Sequence, residues 1–173
     1  VQLTSDPAWA DSFPRWSPDG RWIAFARRPA GRARQPQSAQ LWLMSPDGGG
    51  PRRLVEEGGH MAWLPDSSGL VFLHGDQFAR TDVASGSVVP LTISGPSRLP
   101  IFSVSPDGQW IVYQSPDGGD MDLLRVPITG GEARVALRTE KQDFHPSFSP
   151  SGRWLYFQTD HRNLWRVPGS AQD

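Results

Sequence analysis

One phrase returns four times along the 173-residue chain in the same register. It reads Trp16-Ser17-Pro18-Asp19-Gly20-Arg21-Trp22-Ile23-Ala24-Phe25, then Trp63-Leu64-Pro65-Asp66-Ser67-Ser68-Gly69-Leu70-Val71-Phe72. It returns as Val104-Ser105-Pro106-Asp107-Gly108-Gln109-Trp110-Ile111-Val112-Tyr113 and as Phe148-Ser149-Pro150-Ser151-Gly152-Arg153-Trp154-Leu155-Tyr156-Phe157. The spacings are 47, 41 and 44 residues. A self-similar unit of that length is one supersecondary motif, unable to bury its apolar face alone and therefore stacked on its neighbours.

Each unit divides into four strands, a to d. Strand a ends at the Pro-Asp-Gly turn, where Pro suits the second position, Asp the third, and Gly accepts the left-handed conformation that follows. Strand b holds an equivalent slot filled by Trp22, Trp110 and Trp154, with Gly69 in the second unit. Strand c is Leu41–Met44, Phe78–Thr81, Leu123–Val126 and Leu164–Val167; Gly-bearing turns then lead into strand d at 51–55, 88–92 and 133–137. The fourth unit stops after strand c. Leu3 precedes Ser17 by 14 residues, as Leu91 precedes Ser105, so 1–4 reads as an orphan strand d.

The predicted fold is therefore all-β: a β-propeller of four-stranded antiparallel blades, four repeats in the chain, the last completed by the N-terminal strand. The expected organisation is one domain, 1–173, with repeats at about 13–55, 60–92, 101–137 and 144–169 plus 1–4. Ser45-Pro46-Asp47-Gly48 and Ser115-Pro116-Asp117-Gly118 copy the tetrapeptide without the strand-b pattern. They are assigned to a c–d turn and a b–c loop.

Composition narrows the function classes. Net charge is −1, which supplies no global attraction to nucleic acid or to a membrane surface. Cysteine is absent, which excludes disulfides, thiolate metal sites and a Cys nucleophile. The apolar runs fall far short of the roughly 20 residues of a membrane helix. Val1-Gln2-Leu3-Thr4 shows no leader pattern, as expected of a processed chain or an excised domain.

The four phrases resemble the PD40 repeats, the WD40-like propeller repeats of TolB and its relatives. Phe13–Phe25 fits best and the second unit is the most degraded. The resemblance implies a bacterial, non-catalytic scaffold that binds protein or peptide partners, with a periplasmic or other extracytoplasmic setting favoured and a cytoplasmic one compatible. It also leaves open the propeller part of an oligopeptidase or sensor, and a propeller that binds sugars or small molecules. Such propellers commonly carry more than four blades. The chain is then a piece of a longer ring, a closed four-bladed ring, or half of a ring completed by self-association.

In an up-and-down sheet the a–b and c–d turns share one end, and the b–c and d–a loops share the other. Length variation concentrates at the second end, the expected binding face. Its candidates are Asp11, His60, Arg98, Asp143 and His145. His60 and His145 lie four residues ahead of Leu64 and Ser149, and Asp11 and Asp143 six ahead of Ser17 and Ser149. Equivalent positions in a ring converge on its axis and can form a polar funnel; no metal and no cofactor is assigned. Arg27, Arg28, Arg32 and Arg34 read as a basic b–c loop, and Asp117–Asp122 as an Asp- and Gly-rich turn rather than a calcium loop. Arg80, Arg125 and Arg166 share one strand-c slot and read as structural. The chain has no Gly-x-Ser-x-Gly elbow, phosphate loop, His-Glu-x-x-His motif or dinucleotide fingerprint, so no enzymatic activity, catalytic residue or nucleic-acid partner is expected.

Overall fold

The computed structural model describes residues 1–31, 39–94, 101–117, 120–160 and 162–169. Among these residues every regular element is a strand. They form two compact units, Val1–Pro90 and Leu91–Asp173.

The first unit holds two blades. β1 (Trp9–Trp16), β2 (Ile23–Pro29), β3 (Ala39–Met44) and β4 (Arg52–Gly58) form one antiparallel sheet in chain order. β5 (Met61–Trp63), β6 (Gly69–His74), β7 (Gln77–Asp82) and β8 (Val88–Pro90) form the next. Their facing sides share a core of Leu41, Leu43, Leu54, Val55, Met61, Trp63, Leu70 and Phe72, with Trp22 against it. Fully burying each large side chain stabilises the fold by about 1.5–3 kcal/mol. A second apolar layer, Ile23, Phe25 and Met44 with Trp42, covers the other side of the first blade.

The second unit repeats the plan. After β9 (Ile93–Ser94), its first blade is β10 (Phe102–Val104), β11 (Trp110–Asp117), β12 (Asp120–Pro127) and, beyond β13 (Gly131–Glu132), β14 (Arg134–Leu137). β9 and β13 pair in parallel beside it. Its second blade is β15 (Asp143–Phe148), β16 (Trp154–Thr159) and β17 (Asn163–Pro168). Val112, Leu123, Leu155 and Phe157 form the core between these sheets.

The repeated phrase makes its turn with side chains. Ser17 donates its hydroxyl to Asp19 Oδ1 at 2.6 Å and accepts the Trp22 N–H at 2.9 Å. Asp19 Oδ1 also accepts the Arg21 N–H, while the Ser17 and Trp22 main chains pair. The Ser17 hydrogen bond first, then those from Arg21, hold this carboxyl at about 2. Ser105, Asp107 and Trp110 repeat the network, and Ser151 takes the Asp place beside Ser149 and Trp154. Ser45 and Asp47 make the same local bond in the c–d turn.

Three expectations change. Residues 1–4 form no strand, and the sheet of β15 to β17 has three strands among the described residues. The chain enters β1 instead through a turn at Asp6-Pro7, where Asp6 accepts the Ala8 and Trp9 N–H groups. Leu3 lies against Gly48 of the first blade. The second change concerns Ser115-Pro116-Asp117, which continues β11 rather than forming a loop, because its pairing with β12 runs out to Asp117 and Asp120. Third, Arg27 and Arg28 belong to β2, not to a loop, while Arg32 and Arg34 lie outside the described residues.

The strand-c arginines have a structural task. Arg125 lies over the Trp110 ring at 4.7 Å and Arg166 over Trp154 at 4.2 Å. In the first blade Leu43 fills that slot, and Arg52 from strand d covers Trp22 at 5.7 Å. Gly69 breaks the Trp series because a Cβ there would stand 2.1 Å from the Thr81 carbonyl oxygen. Gly69→Ala therefore forces the β6–β7 pair apart. Its expected cost is about 1–3 kcal/mol, read from urea unfolding followed by Trp fluorescence; an unchanged midpoint would show that the backbone yields freely there.

Candidate functional site

In each blade strand a starts, and strand b ends, at the end away from the signature turn. Here β1 and β15 carry matched irregularities. The register of β1 with β2 shifts between Ser12 and Arg15, and that of β15 with β16 between Phe144 and Ser147. Within the bulges Phe13 (φ 53°) and His145 (φ 54°) adopt a left-handed backbone, each just before a proline. Such a conformation costs a non-glycine residue about 1–3 kcal/mol and re-aims its side chain.

Asp11 and Asp143 occupy the same slot in these two blades but have different cross-strand partners. Asp11 faces Arg27 and binds it with two hydrogen bonds, 2.7 and 2.8 Å. The Arg27 guanidinium also lies over Trp42 at 4.7 Å and Phe25 at 5.2 Å. Burial pushes the Asp11 carboxyl up, but hydrogen bonds from Arg27 and from Thr4, together with the Arg27 charge, outweigh it and leave the group below its ordinary value. Asp143 faces Thr159 instead, so no cation stands directly across. It is fully buried and takes the N–H and hydroxyl of Thr139 at 3.1 and 3.0 Å. Burial first, then the charges of Asp122 and Asp160, raise its carboxyl above the ordinary value. The predicted acidic pair is thus one ion-paired residue and one residue that pins the d–a loop.

The histidines are half-buried. His60 stacks obliquely on Phe13 with centroids 5.0 Å apart, and burial, followed by the charge of Arg15, lowers its pKa. His145 bonds through Nδ1 to Gln158 Oε1 at 2.9 Å, and its backbone N–H donates to Gln114 Oε1 at 3.1 Å. With the Gln158 oxygen accepting the Nδ1 proton, a neutral ring keeps its lone pair on Nε2. Asp11 and His60 belong to the first unit, Asp143 and His145 to the second, and Arg98 lies outside the described residues. No group of three or more His, Asp or Glu suited to a metal occurs among the described residues.

Sequence reading missed the residues that hold the candidates. Arg27 was assigned to a loop, although its offset from Trp22 places it directly across from Asp11. Gln114 and Gln158 carry no signal of their own, since long-range contacts select them.

No family model matches the sequence. The chain is 28% identical over 155 residues to the uncharacterized peptidase YuxL of Bacillus subtilis, covering 85% of this chain and 21% of that protein. It is 33% identical over 114 residues to the uncharacterized protein YidR of Escherichia coli, covering 62% and 26%. The chain thus spans about a fifth to a quarter of the length of these curated relatives. Among solved structures it resembles TolB from Acinetobacter baumannii, with TM-score 0.69 and 15% identity over 91% of this chain and 40% of that one. It resembles a putative TolB from Agrobacterium tumefaciens (TM-score 0.62, 21% identity, 99% and 74% covered). It also resembles an oligogalacturonate lyase in complex with manganese (TM-score 0.68, 22% identity, 92% and 48% covered). The chain has an all-β fold of propeller blades. More particularly, its fold is that of the TolB-like β-propellers.

Asp11→Asn removes the charge opposite Arg27 and is expected to cost about 2 kcal/mol at neutral pH, the scale of charged hydrogen bonds. The lowered carboxyl stabilises the fold above its ordinary value of 3.8, and this contribution is lost as pH falls through the lower folded value. Urea midpoints of the two proteins should therefore differ at pH 7 and converge in strong acid.

Proposed function

We propose that this chain is a non-catalytic binding scaffold that takes a protein or peptide partner on the loop end opposite the signature turns. The observation that carries the reading is a contrast between the two ends. The signature turns use their Ser and Asp groups on their own main chain. At the opposite ends of the blades, the first unit places His60 beside Phe13 and the second aims His145 from a strained bulge. A rigid sheet that holds half-buried polar rings at loop ends is the usual plan of a recognition surface. The fold shared with TolB supports a partner-binding role by analogy.

A second reading has its own support. The peptidase-named relative is far longer than this chain, which makes a propeller that screens peptides for a hydrolase domain the alternative. A hydrolase domain encoded in the same reading frame would decide for it. The lyase among the structural neighbours shows that this blade plan also occurs in an enzyme.

Selection from a displayed peptide library tests the binding face. Peptides enriched on the unaltered chain should bind His60→Ala/His145→Ala at least about tenfold more weakly, a loss of about 1.4 kcal/mol. Arg21→Ala, at an exposed signature-turn position, should bind them unchanged. No enrichment, or equal binding to the His variant, would remove the proposal.

A further inference from the structure

The seam between adjacent blades is built once in each unit from equivalent positions, and the two versions differ. The first lies between β1–β4 and β5–β8, the second between the sheet of β10, β11, β12 and β14 and that of β15–β17. Pairing fixes the correspondence. Trp63 faces Leu70 as Phe148 faces Leu155, and Leu41 faces Val55 as Leu123 faces Leu137. Val83 N–H binds Ser68 O as Gly169 N–H binds Arg153 O.

In the first unit the seam is filled. Trp63, Leu54 and Val83 belong to its core, and the Trp63 indole N–H donates to the Arg15 carbonyl at 2.9 Å. At the mouth, the Ser67 hydroxyl accepts the Asp19 N–H at 3.0 Å and ties one signature turn to the next. In the second unit the equivalents are Phe148, Ala136, Gly169 and Gly152. Each is smaller, and Gly152 has no hydroxyl to bridge the turns. Other exchanges run the other way, among them Ala24 to Val112, Leu43 to Arg125 and Val55 to Leu137. The net result is a cavity of about 170 Å³, walled by Trp110, Val112, Ala136, Leu137, Phe148 and Leu155 among others. It continues past Trp110, Phe148 and Gly169 into a cleft of about 460 Å³ between Ser105-Pro106-Asp107 and Pro150-Ser151-Gly152.

The geometry points to a ligand site in the second unit: this inter-blade cavity takes a single benzene-sized aromatic ring, carried by a small uncharged molecule whose polar substituent lies in the outer cleft. An apolar cavity of about 150 Å³ is known to stay dry and to accept benzene. This one has similar volume and walls that are chiefly hydrocarbon, with Trp110 and the Arg125 guanidinium that lies over its ring also lining it. The outer cleft is lined by Ser105, Asp107 and Ser151; Ser105 is engaged by Asp107 and the Trp110 N–H, and the Asp107 carboxylate keeps acceptor capacity for a hydroxyl. The site lies at the signature-turn end of its blades, away from His145, so it stands apart from the peptide-binding proposal.

Benzyl alcohol is the probe, and the Trp110 indole N–H resonance, assigned with Trp110→Phe, is the readout. The unaltered chain should show a saturable shift with a dissociation constant on the order of 1 mM, the range open to so small a ligand. Two variants copy the filled seam, Phe148→Trp and Ala136→Leu, the latter placing leucine where Leu54 stands in the first unit. Each should retain the dispersed spectrum of a folded chain and weaken binding at least about tenfold. The proposal is overturned by a linear, unsaturable shift in the unaltered chain, or by a folded filling variant that binds as well as the original.

Discussion

A serine hydroxyl that accepts the strand-b N–H and hydrogen-bonds the side chain two residues on closes the a–b hairpin in three of the four blades. Ser17, Ser105 and Ser149 each accept the N–H of the strand-b tryptophan, and each reaches the Asp or Ser two residues on. This fixes where strand b starts, and with a period of two it fixes which side chains enter the core. The Trp then lies in one slot, its face covered by a guanidinium. The second blade shows what happens without the hydroxyl. Leu64 replaces the serine, Ser67 rather than glycine takes the left-handed position at φ 63°, and the Leu64 main chain holds the turn together with Asp66 Oδ1, which accepts the Ser68 N–H and hydroxyl.

This explains why the blades were legible in the sequence. The turn chemistry is local, and its residues carry it wherever they stand. Strand order, the Trp slots and the c–d turns followed from it directly. Pairing beyond the hairpins is a long-range choice, and there register alone misled. Leu3 has the spacing of a strand d, yet spacing does not say which edge a segment meets. The N-terminal residues turn at Asp6-Pro7 and lie on the first blade.

The candidate face was legible as positions but not as chemistry. Asp11 and Asp143 share an offset, and offset suggested a shared role. Their carboxyls move in opposite directions because one cross-strand partner is Arg27 and the other Thr159. The bulges were hidden as well. Nothing in Ser12-Phe13-Pro14 or Phe144-His145-Pro146 announces a left-handed residue, although the proline that follows both is a shared mark. His60 and His145 stand near the start of strand a in their own blades, as their shared offset implies.

Repetition makes the differences between the units informative. Where a motif is used twice, the residues that stay alike report the fold, and those that change report a local need. Ser17 and Ser105 stay alike, as do Leu41 and Leu123, and Leu70 and Leu155. What changes is the filling between blades: Trp63 against Phe148, Leu54 against Ala136, Val83 against Gly169. A large-to-small change in a packed core removes dispersion contacts and leaves a cavity, at a cost of about 24 cal/mol per Å³. By that measure a fully enclosed void of about 170 Å³ costs about 4 kcal/mol, an upper bound for this seam because the cavity opens into the cleft. A fold of marginal stability bears such a cost at one seam while its twin is filled, and a ligand that occupies the void returns part of it. Gly169 shows how firmly the open form is built in. A Cβ there would stand 2.1 Å from the Gly152 carbonyl oxygen, so the valine of the filled seam cannot be restored without moving the turn.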